Sequence, residues 1–145
     1  MRLVLQRVKR ASVEIDGRIN GAIEGGLLIF AGFTDTDTAE LIPTAVSKVI
    51  QMRIFADQAG KLNLSLLDTG GSILIISQFT LYANCSRGRR PDFTHAAAPD
   101  KARALYDELI SQFKATGINI QTGIFAADMQ VDLLNDGPIT IILDY

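Results

Sequence analysis

Two polar stretches, far apart in the chain, hold the residue types best suited to chemistry. Ser77-Gln78-Phe79-Thr80-Leu81-Tyr82 follows the apolar run 73–76. Asn135-Asp136-Gly137-Pro138-Ile139-Thr140 lies between the apolar-rich segments 131–134 and 141–143. Each sets hydroxyls, amides or exposed backbone where an apolar strand ends, and a rigid scaffold most readily presents function there. Two readings of the first stretch stand. One is a strand continuing with alternate faces, Phe79 inward and its neighbours outward. The other is a substrate platform of backbone N–H groups and hydroxyls at a sheet edge. Thr80 qualifies as a nucleophile only with a base beside it. The lone His95 sits in a polar loop, and nothing places it near Thr80. Cys85 with His95 is a second nucleophile–base pairing, but no third, orienting residue stands out.

The Asn135–Pro138 stretch also has two readings. Asn, Asp and Gly tolerate positive φ and Pro138 can open a strand, which describes a hairpin connection. Alternatively, a cis Gly137–Pro138 bond would aim its flanking carbonyls in a direction closed to a trans bond. The basic residues Arg87, Arg89 and Arg90, with Arg2, Arg7, Lys9 and Arg10, are either solvated or phosphate contacts. Gly25-Gly26 is followed by no helical pattern and makes a poor phosphate loop.

The elements that must position these residues are short and varied. Residues 3–8, 11–15, 18–23 and 27–31 are strand-like, with a turn at Asp16-Gly17. A first helix is expected between Asp37 and Met52, with Ile42, Val46, Val49 and Ile50 on one face. Pro43 marks its start or a bend. Residues 53–55 and 62–66 are expected as strands around a turn at 57–60, and 72–76 as the central strand. Residues 84–98 form a loop. The second helix begins at Pro99 and carries the stripe Ala102, Leu105, Tyr106, Leu109, Ile110 and Phe113, with Gly117 near its stop. Residues 118–124, 129–134 and 139–143 are strand-like again. Two main helices and many strands, without βα alternation, indicate an α+β, strand-rich, barrel-like single domain over 1–145.

Composition bounds the function. The 145 residues are 48% hydrophobic and 21% charged, which suits one globular domain. No apolar run approaches the ~20 residues of a membrane span, and the N-terminus is too charged for a signal peptide. A soluble, cytoplasmic protein without membrane contact is expected. One cysteine excludes an internal disulfide, and with one histidine it cannot complete a four-ligand zinc site. No carboxylate spacing suggests a metal, and no cofactor is expected. The net charge of −2 argues against bulk capture of nucleic acid, leaving local patches.

Beyond this, the chain resembles the D-aminoacyl-tRNA deacylases, also called D-tyrosyl-tRNA deacylases. The likeness runs through Gln6-Arg7-Val8, Arg10-Ala11-Ser12-Val13, Arg53-Ile54-Phe55 and Gly60-Lys61-Leu62-Asn63. It continues in 77–81, Arg90-Pro91 with Phe93, Phe125-Ala126-Ala127-Asp128-Met129-Gln130-Val131, and 135–140. Ile139 stands where the family often has valine, and Asp92 where it often has serine. The resemblance implies a homodimer that hydrolyses the ester of tRNA charged with a D-amino acid or glycine, without DNA as partner. It implies that Gly137-Pro138 enters the partner subunit's site, that its carbonyls bind the substrate's α-amino group, and that Arg7 braces them. Ser77, Gln78, Phe79 and Thr80 would form the opposing, catalytic wall, with Phe79 near the terminal adenosine. Ala126 and Met129 would close the floor. The terminal 2′-OH of the RNA would assist water, with Thr80 as covalent nucleophile the rival mechanism. Two other classes compete: a non-catalytic tRNA binder, and a general esterase using Thr80 or Cys85.

Overall fold

The structure, a computed structural model, describes residues 1–145. Its frame is a six-stranded, nearly closed sheet. Strand β1 (Arg2–Ile15) is its axis. Along one edge β1 pairs antiparallel with β8 (Gln130–Asp144). Its other edge is shared between β3 (Gly26–Gly32), beside its first half, and β2 (Arg18–Ile23), beside its second. β3 then pairs parallel with β6 (Ser72–Ser77), and β6 parallel with β7 (Ile120–Thr122). Asn20 Nδ2 reaches across from β2 and donates to the Thr122 carbonyl at 2.7 Å. A Cβ on Gly21 would lie 3.1 Å from that oxygen, so a small residue lets the two strands close up.

Alternation puts apolar side chains on both faces of the central strands. Leu27, Ile29, Ile73 and Ile75 face the helices, while Leu28, Leu74 and Ile76 face the barrel interior. Both faces of a parallel pair must be covered, which is why these strands are continuous apolar runs. Helix α1 (Ile42–Gln51) buries Ile42, Ala45, Val46, Val49 and Ile50 on the first face. Its Pro43 sits in the first turn, where the missing N–H costs nothing. Helix α3 (Pro99–Ala115) buries Ala102, Leu105, Tyr106, Leu109 and Phe113 beside it.

Four expectations are corrected. Strands 3–8 and 11–15 are one strand with an irregularity at Lys9, where pairing with β8 shifts between Val8 and Arg10. The extra residue reverses the alternation: Leu3 and Leu5 belong to the helix side, Ala11 and Val13 to the interior. Segments 129–134 and 139–143 are likewise one strand, so Asn135–Pro138 is no hairpin. Residues 53–55 and 62–66 contribute only β4 (Phe55–Ala56) and β5 (Leu62–Leu64). Helix α2 (Leu66–Thr69) follows, started by a capping box in which Ser65 and Asp68 serve each other's backbone.

Tyr106 ties α3 to the central strand. It is 2% exposed and its hydroxyl donates to the Ile75 carbonyl at 2.8 Å. Burial raises the phenol's pKa, keeping it a neutral donor. Ile75 O also accepts from Gly123 N at 3.1 Å, so it keeps a partner if the hydroxyl is lost. Tyr106→Phe should therefore cost only about 1 kcal/mol, a fall of about 3 °C in Tm by calorimetry. No change in Tm would mean the hydroxyl contributes nothing.

Candidate active site

β3 and β6 run parallel in the register Ala31↔Ser77, so their C-terminal ends arrive together. There β6 gives way to a 3-10 turn, Phe79–Tyr82. Gln78 N donates to Ala31 O at 2.8 Å and Leu81 N to Gln78 O at 3.3 Å. The first N–H groups of such a turn, those of Phe79 and Thr80, have no acceptor within it. Gly32 makes room for the turn: a Cβ there would sit 2.8 Å from Gln78 O and 3.2 Å from Leu81 Cβ. The alternating-strand reading of this stretch is thereby overturned. Phe79 does not point inward but is 56% exposed. Its ring meets the edge of Phe93 at a centroid distance of 5.0 Å.

Beside the turn lies a largely apolar cavity of about 670 Å³. Ser77, Gln78 and Phe79 line it from β6 and the turn; Ala126 and Met129 line it from the segment before β8. Helix α3 closes a third side with Pro99 and Ala102. Ala126 adopts φ +64, unusual for alanine, in a turn closed by Ala127 N to Ile124 O at 3.2 Å. Met129 folds back over Gly123, where a Cβ would come within 2.5 Å of its sulfur. Phe93 and Phe125 also line the cavity. Arg103 of α3 lies over the Phe125 ring at 4.7 Å. Neither aromatic residue was singled out as lining from the sequence, although both lie within stretches that carried the resemblance.

Thr80 stands apart from the cavity lining. Its hydroxyl is exposed and accepts from Gln78 Nε2 at 2.6 Å, so its only side-chain partner is an amide donor and not a base. Cys85 and His95 are both exposed and neither lines the cavity. Arg87, Arg89 and Arg90 are exposed in a loop whose ends are joined by the Asn84↔Asp92 bridge, next to Phe93, and none forms an ion pair.

Gly137 and Pro138 are also outside the cavity of their own chain. Between the pairs Gln6↔Thr140 and Val8↔Asn135, β1 has the single residue Arg7 while β8 has four. Those four, residues 136–139, loop out of the ladder, and Gly137 and Pro138 at their centre are exposed. The Gly137–Pro138 peptide is cis. Arg7, only 8% exposed, backs the loop. Its Nη1 donates to Ile54 O at 2.6 Å, and its Nε lies 3.0 Å from Asp136 Oδ2 and 3.2 Å from Asp136 O. Lys9 Nζ approaches the other oxygen of Asp136 at 3.4 Å. Asn135 Nδ2 donates to the carbonyls of Arg7 and Ile139, both at 2.9 Å. No helix is long and apolar enough to cross a membrane.

Two features thus stand apart on one chain: an apolar cavity with a backbone platform, and a braced backbone loop elsewhere on the sheet. Known proteins share the whole frame. A solved structure described as a probable eukaryotic D-amino acid tRNA deacylase superposes with a TM-score of 0.88 at 19% identity, covering 99% of this chain and 98% of its own, which shows the fold. The structure of a c-Myc DNA Unwinding Element Binding Protein superposes with a TM-score of 0.93 at 37% identity, covering 100% and 99%. The D-aminoacyl-tRNA deacylase of Thermosipho africanus (strain TCF52B) is 50% identical over 144 residues, which are 99% of this chain and 97% of that protein. The sequence profile described as D-Tyr-tRNA(Tyr) deacylase matches residues 4–144. Spanning both the cavity and the loop, that match makes this chain a member of the D-Tyr-tRNA(Tyr) deacylase family.

Proposed function

We propose that the protein is an aminoacyl-tRNA editing hydrolase. It cleaves the ester joining a D-amino acid to the 3′ end of tRNA, and the ester of glycine misattached to alanine tRNA. Water adds to the ester carbonyl, the bond to the ribose oxygen breaks, and free amino acid and tRNA leave. The observation that carries this reading is the apolar cavity beside exposed Phe79 and the unpartnered N–H groups of its turn. An exposed aromatic face suits the terminal adenine, and N–H groups fixed at a turn suit the oxyanion of an acyl-transfer intermediate. Thr80 has only the Gln78 amide as a side-chain partner, and Asp128 is the one ionisable side chain lining the cavity. With no base paired to a nucleophile, the terminal 2′-OH of the RNA positions or activates the water.

Selectivity comes from a second copy of the chain. The Gly137–Pro138 loop projects from its own sheet and contributes nothing to its own cavity, which fits insertion into a partner's. The free edge of β8, with Leu134 and Ile142 46% and 60% exposed, supports such a homodimer. Loop carbonyls hold the α-amino group, and the backbone wall leaves no room for an L side chain. A D side chain projects elsewhere, and glycine has none. Arg87, Arg89 and Arg90 contact the acceptor phosphates. A net charge of −2 supports a local contact of this kind over general binding to duplex DNA. The protein acts in the cytoplasm, where charged tRNA is found.

The first test is parallel incubation of the purified protein with D-tyrosyl-tRNA and L-tyrosyl-tRNA. Release from the D form alone is expected. Release from both would overturn the filter. Release from neither, nor from glycyl-tRNA, with tRNA still shifted in a gel, would make the protein a binder. Cleavage of simple esters lacking RNA would make it a general esterase. In the same assay Thr80→Ala should keep turnover within about 10-fold of wild type, since a lost hydrogen bond is a small term beside a lost nucleophile. Complete loss of turnover would install Thr80 as the nucleophile.

A further inference from the structure

The loop 136–139 must leave the β1–β8 ladder and return to it without fraying the strand on either side. Arg7 and Lys9 hold Asp136, one residue inside the departing end. The return is held differently. Asn135 lies opposite Val8, at the last ladder pair before the loop, and is half-buried. Its side-chain amide donates at 2.9 Å to the carbonyl of Ile139, the last residue of the loop, and at 2.9 Å to the carbonyl of Arg7 on the facing strand. One NH₂ group thus closes the loop's two ends and pins both to β1. Both partners are carbonyl oxygens, so the group facing them must be a donor with two hydrogens. Aspartate has the same shape and none.

We infer that Asn135 is a positioning residue for substrate selectivity: its amide sets the depth and direction in which Gly137 and Pro138 project, and so decides how well an L-aminoacyl ester is rejected. This rests on the reading of Gly137–Pro138 as the stereochemical wall. Asn135 does not touch the cavity of its own chain, and the platform at 77–80 is untouched by its loss. Removing the amide therefore widens the space available to the wrong substrate while the right one is still bound and cleaved.

The test compares wild type, Asn135→Ala, Asn135→Ser and Asn135→Asp on D-tyrosyl-tRNA and L-tyrosyl-tRNA, with a thermal melt of each. With wild type cleaving only the D ester, Asn135→Ala and Asn135→Asp should raise L turnover by about 10-fold or more, as expected for loss of two hydrogen bonds. D turnover should stay within about 3-fold. Asn135→Ser, with one donor, should fall between. Equal falls in both rates, or an unchanged ratio, would overturn the inference, because a merely structural role does not change a ratio. Variants that do not remain folded would overturn it as well, by assigning Asn135 to stability. Failure of the underlying reading looks different: wild type itself would then show no preference for the D ester.

Discussion

Gly26→Ala should leave little folded protein at room temperature, the largest stability effect expected of any single methyl group in this chain. Gly26 begins β3 opposite Ser72, the first residue of β6. A Cβ there would lie 1.9 Å from Ser72 O, 2.7 Å from Ser72 N and 2.8 Å from Ser72 C. All three are backbone atoms, so no rotamer change relieves the overlap. Relief requires β3 to move away from β6 by more than an ångström, at the head of a ladder running from Gly26↔Ser72 to Ala31↔Ser77. Losses of roughly 4–5 kcal/mol mark the extreme of single substitutions, against a total stability of roughly 5–15 kcal/mol. Gly60→Ala is the control: its φ of +76 is unfavourable for alanine, but nothing lies within 4 Å of the new methyl. It should cost about 1–2 kcal/mol. Urea unfolding of both variants separates the effects, and a Gly26→Ala midpoint near that of Gly60→Ala would show that the strands part easily. Activity is tied to the same contact, because this ladder delivers Ala31 and Gly32 beside Ser77.

Residues whose signal is local were legible in the sequence. The α3 stripe reports burial against one surface, and four of the five residues buried on α1 or its edge were named from spacing alone. The short α2 had a local signal too: Ser65 followed by Asp68 three residues on is a capping box. What was not legible depends on the partner strand. Asn135-Asp136-Gly137-Pro138 has the composition of a hairpin, and the same composition serves a loop thrown out of one continuous strand. The difference is made by β1, more than a hundred residues earlier, which pairs with β8 on both sides of the loop. Lys9 is similar, since a polar pair at 9–10 looks like a break between strands until the same partner is seen to span it. Of the two readings of 77–80, the one in which Phe79 continues the alternation of β6 fails because Gly32 admits a turn that carries it outward. The candidate residues sort by the same rule. Ser77, Gln78, Phe79, Ala126 and Met129 meet at one cavity, while Gly137, Pro138 and Arg7 form a separate assembly outside it.

Arg7→Met should abolish stereochemical discrimination and destabilise the fold together, the largest functional effect expected. Arg7 is the one residue of β1 opposite the whole loop 136–139. Its planar fork works in two directions, with Nη1 on Ile54 O and Nε on Asp136, and the guanidinium carbon lies 6.0 Å from the Phe55 ring centroid. A Cβ added to Gly137 would come within 3.0 Å of Nη2, so the guanidinium is packed directly behind the glycine. Methionine keeps the apolar stem and loses every donor. Asp136 then retains only the exposed Lys9, and Ile54 O loses this donor. Breaking such a pair costs roughly 3 kcal/mol, a fall of about 10 °C in Tm for a chain of this size. On the proposed reading the loop also loses its backstop, and L-tyrosyl-tRNA should become a substrate, with the ratio of D to L turnover falling by about 100-fold. Arg7→Lys should recover little, because one ammonium cannot replace a fork that holds Ile54 and Asp136 at once. The pairing of the two losses is the informative part. A variant that loses stability but keeps its discrimination would show that Asn135 alone suffices to hold the loop. One that loses turnover on the D ester and gains none on the L ester would place Arg7 in support of the cavity instead of the wall that faces it.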